Sequence, residues 1–458
     1  MTESAVTPVI DELATYIAGA AARPLPEAVQ EKTKHHVLDT IAAMVSGGGL
    51  LPGRRAIAYA ASRGGAEEAT VAGTSIVTTV EYAALANGML AHSDETDDSH
   101  APSQTHPGAG IVAAALAMAE REHRGGEALL RAVALGYDIG TRFTMCLDAL
   151  AFREEGHATH SFGPTFGAAA AAGSLVGVDR RQALHVVTYA GQQASGVGSW
   201  IGDLEHIEKS FDFGGMPARN GVTAATFVQH GFTATDDMFA GARNFFQAYS
   251  HPARTIDPGE LVRDLGTTFE VMNTNIKRWT VGSPIQAPLD SLLELIREHG
   301  ITADEVEDVT VRVAHTGATT TDDKKMPDIS MQQMCAVMLL DGIVTFDSAH
   351  DEARMHDPAT MAMRQRIHLF GDDELQRRLP SREGIVEVTL KDGRTLRHHT
   401  AAVRGTEQNP MTRAEVDEKA YYLLLPVLGE QKSRALCDAV WGLEAVRDVC
   451  DLRPLLRP

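Results

Sequence analysis

The residues best suited to chemistry are concentrated in one stretch, from His92 to His106. It begins His-Ser-Asp-Glu-Thr-Asp-Asp-Ser-His, is followed directly by Pro107, and holds three histidines and four carboxylates within fifteen residues. Crowded acids raise one another's pKa values and histidine titrates near neutral pH, so the stretch could remove a proton beside a carboxylate group. The catalytic candidates here are Glu95, Asp97, Asp98 and His106.

Two other interpretations of this stretch stay open. The acids could form a solvated turn that caps a helix and carries no chemistry. Their spacing also resembles, faintly, the aspartate-rich motif of helical terpene cyclases, whose carboxylates hold Mg²⁺ against a diphosphate. A magnesium-dependent diphosphate lyase of that kind needs a second metal-binding helix with Asn, Ser and Glu at fixed spacing, and the sequence offers none.

Two later clusters could bind an anion. His157 and His160 precede a helix of small residues, whose positive N-terminal end favours a neutral histidine and a nearby anion, unless they only cap the helix. Lys209 precedes the segment Gly-Gly-Met-Pro-Ala-Arg, which predicts a glycine-rich turn before a helix. The backbone N–H groups of such a turn can approach an anion, with Lys209 and Arg219 as counter-charges.

A fourth cluster, Lys277-Arg278-Trp279, is followed by Gly-Ser-Pro. A lid at this point could bring cations onto a substrate, although an exposed Lys and Arg beside a core tryptophan would look the same. The chain has no dinucleotide fingerprint, no phosphate-binding loop with Gly-Lys-Ser/Thr and no Gly-x-Ser-x-Gly elbow. These absences disfavour an enzyme that depends on a nicotinamide or a nucleotide.

The composition is that of an acidic globular protein, with 458 residues and a net charge of -20. This charge argues against a nucleic-acid partner, because phosphate binding needs a basic face, but a locally positive pocket can still bind a small anion. The four cysteines have no metal-ligand spacing, and no apolar stretch reaches the roughly 18 residues of a membrane span. With no basic, signal-like N-terminus, the sequence predicts a cytoplasmic protein without a membrane partner.

A helical scaffold must position these clusters, and the apolar spacing of the first two-thirds of the chain predicts helix after helix. The alanine- and glycine-rich stretch from Phe166 to Val176 predicts a central helix, because small side chains let helix axes approach closely. Past residue 270, Val306–Ala314 alternates as a strand, and Asp392-Gly393 between two alternating runs predicts a hairpin. We expect a mainly α fold with a large helical domain (1–270), a smaller α+β lid domain (271–404) and a C-terminal return to the helices (405–458).

In this order, the clusters resemble the MmgE/PrpD family, whose best-known members are 2-methylcitrate dehydratase and cis-aconitate decarboxylase. The family pattern is Asn-Gly, then His-x-x-Asp-x-Asp-Asp-Thr, then His-Pro. It is similar here to Asn87-Gly88, the run from His92 to Ser99, and His106-Pro107. Later matching blocks are Gly156-His157, Phe166-Gly167-Ala168, Lys209, Ala218-Arg219-Asn220-Gly221, Lys277-Arg278-Trp279 and Leu339-Leu340-Asp341-Gly342. The departures are Glu95 for an aspartate, Ser99 for a threonine, and Gly282 and Gln333 where a histidine and a tyrosine often stand.

The resemblance implies a homodimer that works without metal or organic cofactor on small di- and tricarboxylates. The reaction it implies is dehydration of an acid such as 2-methylcitrate, with decarboxylation of the cis-aconitate type and epimerisation as alternatives. The implied catalytic residues are Glu95, Asp97, Asp98, His106, His157 and Lys209, and the implied substrate-binding residues are Ser99, Arg219, Lys277 and Arg278. A non-catalytic helical scaffold is the remaining hypothesis, and it predicts that loss of His106 or Lys209 leaves function intact.

Overall fold

The computed structural model describes residues 6–458, which form two compact units. The first unit comprises the described residues up to Ser93, together with Asp97–Thr274 and Arg413–Pro458. The second unit comprises Asp94–Thr96 and Asn275–Thr412. The short piece Asp94–Thr96 therefore groups with the second unit, although its sequence neighbours on both sides group with the first.

The first unit is built from helices around an apolar core that extends from Ile10 to Leu261. The helices are α1 (Pro8–Gly19), α2 (Glu27–Gly47), α3 (Leu51–Ala61), α4 (Val80–Ala91), α5 (Pro107–Arg121), α6 (Gly126–Met145), α7 (Ala149–Glu154), α8 (Thr159–Val176), α9 (Arg180–Gln193), α10 (Ile207–Ser210), α11 (Met216–Gln229) and α12 (Phe245–Ala248). Two short strands, β1 (Ala69–Thr70) and β2 (Val77–Thr78), pair antiparallel. The last long helix, Arg413–Trp441, is broken at Gly429, where φ is 74°.

Helix α8 lies at the centre of this unit and packs against α5, α6, α9 and α11. Almost all of its residues are buried. At Gly167 a Cβ atom would come within 2.4 Å of the carbonyl oxygen of Gly136 on α6, so only glycine permits this approach. The prediction of a central helix with small side chains is confirmed.

The segment predicted as a glycine-rich turn is instead a π-helical turn, Phe211–Gly215, continuous with α10 and α11. A Cβ atom at Gly214 would lie 2.0 Å from the carbonyl oxygen of Gly88 on α4. Glycine is therefore required here by the close packing of α4 against the π-helical turn. The prediction of a glycine-rich turn before the helix is wrong, because a glycine pair suits a turn and a close helix contact equally well.

The second unit combines helices with a four-stranded sheet. Its helices are α13 (Gln286–His299), α14 (His315–Thr321), α15 (Met331–Asp341), α16 (Phe346–Ala349), α17 (Pro358–Arg364) and α18 (Asp373–Arg377), which makes Arg413–Trp441 helix α19. The strands are β3 (Val306–Ala314), β4 (Ile367–Asp372), β5 (Gly384–Leu390) and β6 (Thr395–Thr400), in the order β4-β3-β5-β6. Strand β4 runs parallel to β3, whereas β5 pairs antiparallel with both β3 and β6. The predicted hairpin and the mainly α fold with a smaller α+β part are confirmed.

Among residues 6–458, the structure contains no helix with the length and apolar character needed to span a bilayer.

Candidate active site

Two histidines share one buried carboxylate in the first unit. His92 follows the last residue of α4, and His106 immediately precedes α5. The Oδ1 atom of Asp97 is 3.0 Å from the Nδ1 atoms of both histidines. Asp97 and His92 are fully buried, whereas His106 is 8% exposed. A carboxylate at Nδ1 keeps the proton on that nitrogen and makes Nε2 the basic one, so Asp97 fixes the tautomer of both rings.

Asp98, the next residue, anchors the loop. Its Oδ1 accepts a hydrogen bond from the Gly108 N–H in the first turn of α5, at 2.9 Å. Its Oδ2 lies 2.8 Å from His36 Nδ1 and accepts a hydrogen bond from the Tyr137 hydroxyl. Burial lowers the pKa of His36 to about 4, so this histidine is neutral and donates its Nδ1 proton to the carboxylate. Asp98 thereby caps the buried start of α5 and holds its neighbour Asp97 in place.

The rings of Phe213 and Trp200 form an aromatic wall beside the histidines. Phe213, in the π-helical turn, stacks on His160 with 3.7 Å between ring centroids and on His92 with 4.2 Å. Trp200 meets Phe213 edge-on at 4.7 Å, and the Nζ atom of Lys209 lies 5.2 Å from the centroid of the Phe213 ring. The apolar rings remove water from the imidazoles, and Lys209 brings a cation to the same wall.

His160, in the first turn of α8, is the third histidine of this cluster. Its ring centroid is 5.1 Å from that of His106. Burial lowers the pKa of His160 well below its usual range, and nearby basic groups, among them His106 and Lys209, lower it further. His160 is therefore a neutral imidazole at physiological pH, and it can donate a hydrogen bond without carrying charge.

His157, the histidine predicted for the site, lies in different surroundings. It stacks on Phe152 at 4.1 Å, meets Tyr249 edge-on at 6.3 Å and is partly exposed. Because α8 begins at Thr159, His157 precedes the helix whereas His160 is inside its first turn. The sequence places both histidines in one short cluster, and only the start of the helix distinguishes them.

The predicted residues Arg219 and Ser99 also belong to the first unit. Arg219 lies in α11, where its Nε and one terminal nitrogen donate to Asn220 Oδ1 at 3.1 and 2.9 Å. Its guanidinium group also lies over the ring of Phe211, 5.7 Å from the centroid. The contacts of Arg219 are therefore with its own helix and the start of the π-helical turn. Ser99 is half-buried, directly after the anchoring carboxylate of Asp98.

The second unit holds the other predicted cations. The Nζ atom of Lys277 donates to the backbone oxygen of Glu95 at 2.9 Å and lies 3.3 Å from its Oε2. Lys277 is 3% exposed and Glu95 is 5% exposed, so this ion pair is withdrawn from water. The pair links the piece Asp94–Thr96 to the rest of this unit. Arg278 is half-buried and lies over the ring of Trp279, with its guanidinium 3.6 Å from the carboxylate of Asp290.

Sequence reasoning missed a second ion pair in this unit. His350, which follows α16, has its Nε2 3.0 Å from Asp94 Oδ2. Burial alone would lower the pKa of His350, but the Asp94 carboxylate raises it to about 9. The two residues are more than 250 positions apart, so no local pattern could connect them. The aromatic residues Trp200 and Phe213 were also missed, because the histidines they contact lie in distant parts of the sequence.

Two of the four departures from the family pattern, Gln333 and Gly282, lie in this unit as well. Gln333 of α15 is fully buried, and neither polar atom of its side chain has a hydrogen-bond partner within the described part of the chain. At Gly282 a Cβ atom would meet nothing closer than 3.8 Å, so the position has room for the start of a side chain. The packing therefore accommodates Gly282, whereas the unpaired amide of Gln333 costs free energy in this unit.

The histidine cluster also bears on metal binding. Ligand atoms of His92, Asp97 and His106 lie within 4.8 Å of one another, a spacing that could accept a metal ion. Two imidazoles and one carboxylate suit Zn²⁺ or iron better than the Mg²⁺ of the diphosphate-lyase alternative. The Asp97 carboxylate bonds to His106, whereas that of Asp98 bonds to the Gly108 N–H. They therefore do not form the shared acidic face that Mg²⁺ requires.

Comparisons with known proteins match nearly the whole chain. The model of the MmgE/PrpD N-terminal domain matches residues 11–255, and that of the MmgE/PrpD C-terminal domain matches residues 279–443. Cis-aconitate decarboxylase of Homo sapiens is 24% identical over 98% of this chain and 94% of the human protein. A cis-aconitate decarboxylase-like protein of Aspergillus oryzae is 22% identical over 97% of this chain and 96% of its own length. Because the two domain models together cover most of the sequence, the chain belongs to the MmgE/PrpD family.

Proposed function

We propose that this chain is a lyase that eliminates water from a small di- or tricarboxylic acid, such as 2-methylcitrate, by general acid–base catalysis with its own side chains. The observation that carries the proposal is the shared carboxylate of Asp97, which orients His92 and His106 near the neutral His160. Elimination needs one group that takes a proton from the carbon beside a carboxylate and another that assists the departing hydroxyl. Histidines held in different environments can divide these roles.

His106 is the proposed base. Its Nδ1–H donates to Asp97, so Nε2 takes the substrate proton, and the carboxylate stabilises the imidazolium that forms. His106 is also the partly exposed member of the pair that shares Asp97, whereas His92 is fully buried. The N-terminus of α5 beside it favours a negatively charged substrate.

Lys209 and His160 are proposed to stabilise the negative charge that develops on the substrate during elimination. The ammonium group of Lys209 is the proposed partner of a substrate carboxylate and of the enediolate-like charge that forms when the proton leaves. The neutral His160 hydrogen-bonds the departing hydroxyl, and the His106 imidazolium returns its proton there, so that hydroxide leaves as water. Within the second unit, Glu95 fixes the position of Lys277, which stays a predicted substrate-binding residue.

Loss of carbon dioxide is the second candidate reaction. It is favoured by the names of the relatives, which are cis-aconitate decarboxylases or decarboxylase-like and match over 97–98% of this chain. The same site would serve, because the electrons of the broken carbon–carbon bond must be held as an enediolate-like charge and a proton delivered to carbon. A cation such as Lys209 and an imidazolium such as His106 supply these two functions.

Proton NMR in deuterated water tests the proposal directly. Citrate, 2-methylcitrate and cis-aconitate are incubated with the enzyme, and the signals of the hydrogens beside each carboxylate are followed. We expect deuterium at such a carbon and elimination of water from a hydroxy acid. A product with one carboxylate fewer would assign decarboxylation instead. Absence of exchange and of conversion with every acid would contradict acid–base chemistry on this substrate class.

Two histidine variants complete this experiment. We expect His106→Gln to slow exchange by about 10²–10⁴-fold, the usual contribution of a general base. His230→Gln is the matched control, because His230 is an exposed residue of the same unit whose ring nitrogen bonds to the backbone of its own helix end. Equal rates in both variants would remove His106 from the mechanism.

A further inference from the structure

A second group of metal-type ligands lies in the first unit, outside the candidate active site. His123 Nδ1 is 2.9 Å from Asp448 Oδ2 and 3.6 Å from the Sγ atom of Cys450. The three ligand atoms lie within 4.8 Å of one another. All three side chains are exposed or half-buried, so an ion could reach them from solvent.

The backbone brings these residues together. Helix α5 ends at Arg121, and His123 follows in the left-handed region, with φ 50°. The N–H of Val449 donates to the carbonyl of Arg124 at 2.8 Å, which fastens the C-terminal segment to the chain that follows α5. Asp448 caps the short 3-10 turn Val449–Leu452, which contains Cys450.

Glu120 provides a second, independent observation at the same place. Its backbone oxygen accepts a hydrogen bond from the Cys450 thiol at 3.2 Å. Its side chain is 1% exposed, and Oε2 accepts from Arg453 Nε at 2.8 Å, but Oε1 has no hydrogen-bond partner among residues 6–458. Glu120 and His123 line one cavity of about 330 Å³. A buried carboxylate oxygen without a partner is costly, and a cation bound at the neighbouring Cys450 would offset part of that cost.

We propose that His123, Asp448 and Cys450 bind a divalent transition metal, for which Zn²⁺ is the best fit. Thiolate, imidazole and carboxylate are zinc ligands, whereas Mg²⁺ and Ca²⁺ take oxygen ligands. Tetrahedral zinc with a Zn–S bond of ~2.3 Å and a Zn–N bond of ~2.0–2.1 Å separates sulfur and nitrogen by about 3.6 Å. Cys450 Sγ and His123 Nδ1 already have this separation.

Metal binding at Cys450 requires the thiol to lose its proton. The S–H bond breaks, a metal–sulfur bond forms, and the proton leaves to solvent. A water molecule from solvent takes the fourth position. The ion joins the C-terminal turn to the segment after α5, the helix that begins beside His106. Its role is to stabilise the fold, and no catalytic step passes through it.

Titration of metal-free protein with Co²⁺ tests this site, because cobalt reports its own ligands by absorption. We expect one equivalent to give a sulfur-to-cobalt charge-transfer band and the intense visible bands of tetrahedral Co²⁺, both abolished by Zn²⁺. The sulfur band separates this site from the histidine cluster of the active site, which has no thiol. Of the four cysteines, Cys146, Cys335 and Cys437 are buried, so Cys450 is the accessible thiol.

Variants of the intact chain then decide the assignment. We expect Cys450→Ser to lose the sulfur band and His123→Ala to weaken Co²⁺ binding at least tenfold, while the exposed control His230→Ala behaves as wild type. Zn²⁺ should raise the thermal midpoint of wild type and control but not of the two variants. A missing sulfur band, a band that survives in Cys450→Ser, or equal affinity in His123→Ala would each overturn the proposal.

Discussion

Asp97 and Asp98 are identical side chains at adjacent positions, yet their surroundings give them different roles. The oxygen of Asp97 faces two histidines of the candidate site, whereas Asp98 bonds to the first turn of α5, to His36 and to Tyr137. A change at the first position should alter proton transfer, and a change at the second should alter the fold. The pair therefore allows catalysis and stability to be separated within one dipeptide.

Substitution of each aspartate by asparagine makes that separation measurable. We expect Asp97→Asn to lower kcat by about 10²–10⁴-fold, because an amide can hold His106 in the wrong tautomer and cannot stabilise its imidazolium. The unfolding free energy should change less than in Asp98→Asn, which loses charged hydrogen bonds and should cost about 1–3 kcal/mol. Steady-state kinetics and urea denaturation measure the two effects. Full activity in Asp97→Asn would contradict the proposed role of the carboxylate.

His350 makes the free energy of unfolding depend on pH. Its pKa is raised from 6.5 to about 9 by Asp94, so the folded state binds a proton that the unfolded state releases between these values. The stabilisation is fully present below pH 6.5 and is lost as the pH rises through 9. The stabilisation lost at high pH is on the order of 3 kcal/mol. We expect urea denaturation to show this loss in wild type and not in His350→Gln. The exposed pair of His315 with Asp373 offers the control His315→Gln, which should retain the loss.

Helix α5 and the π-helical turn are the elements that assemble the site. The first begins directly after His106, and the second carries Phe213 against His92 and His160. π-Helical turns are rare and are frequently found at functional sites. The position of this turn depends on one close contact, in which Gly214 and Gly88 bring the turn and α4 together.

A methyl group at that contact should disturb both elements. Gly214→Ala places Cβ 2.0 Å from the Gly88 carbonyl, so the turn must move away from α4. We expect a loss of about 1–3 kcal/mol in unfolding free energy, the usual cost of overpacking. Activity should fall too, because Phe213 and His92 move apart. Gly64→Ala is the control, since a Cβ atom there has open space. Equal stability of the two variants would mean that the contact is not tight.

Local patterns predicted most of these elements and only part of the site. Val306–Ala314 was predicted as a strand with the bounds of β3, because alternating valines permit little else. The π-helical turn could not be predicted, since its glycines also suit an open turn. Its neighbour α8 was predicted from Phe166 onward but begins at Thr159, and that first turn contains His160. Long-range partners such as His350 and Asp94 leave no trace in local sequence.

At the scale of the whole molecule, one segment of the first unit carries three exposed apolar side chains. Val197, Ile201 and Leu204 are 64%, 69% and 68% exposed and lie on the segment that carries Trp200 into the aromatic wall. Exposed apolar residues grouped on one segment mark an interaction surface. The family resemblance implies a homodimer, and we propose that this segment is the contact between its two copies. The surface and the site would then be linked through Trp200.

Light scattering with size-exclusion chromatography tests the dimer. We expect wild type to run as a dimer and Ile201→Asp as a monomer, because a buried carboxylate opposes association. The monomer should also lose activity through displacement of Trp200. Ile343→Asp is the control, since Ile343 is 51% exposed in the second unit and should leave the dimer intact. A monomeric wild type, or a dimeric Ile201→Asp, would contradict this assignment.

The π-helical turn has one further consequence, for insertions and deletions. A π turn holds one residue more than the α-helix that could replace it, so deletion of Asp212 could convert Phe211–Gly215 into ordinary helix. Because the extra residue is absorbed within the turn, the helices before and after it would keep their orientation, and only the side chains of the turn would shift. Phe213 would then lose its position against His92 and His160 while each helix stayed intact. A natural gap at this point in a related sequence would therefore identify a protein that keeps the fold and has given up this aromatic contact.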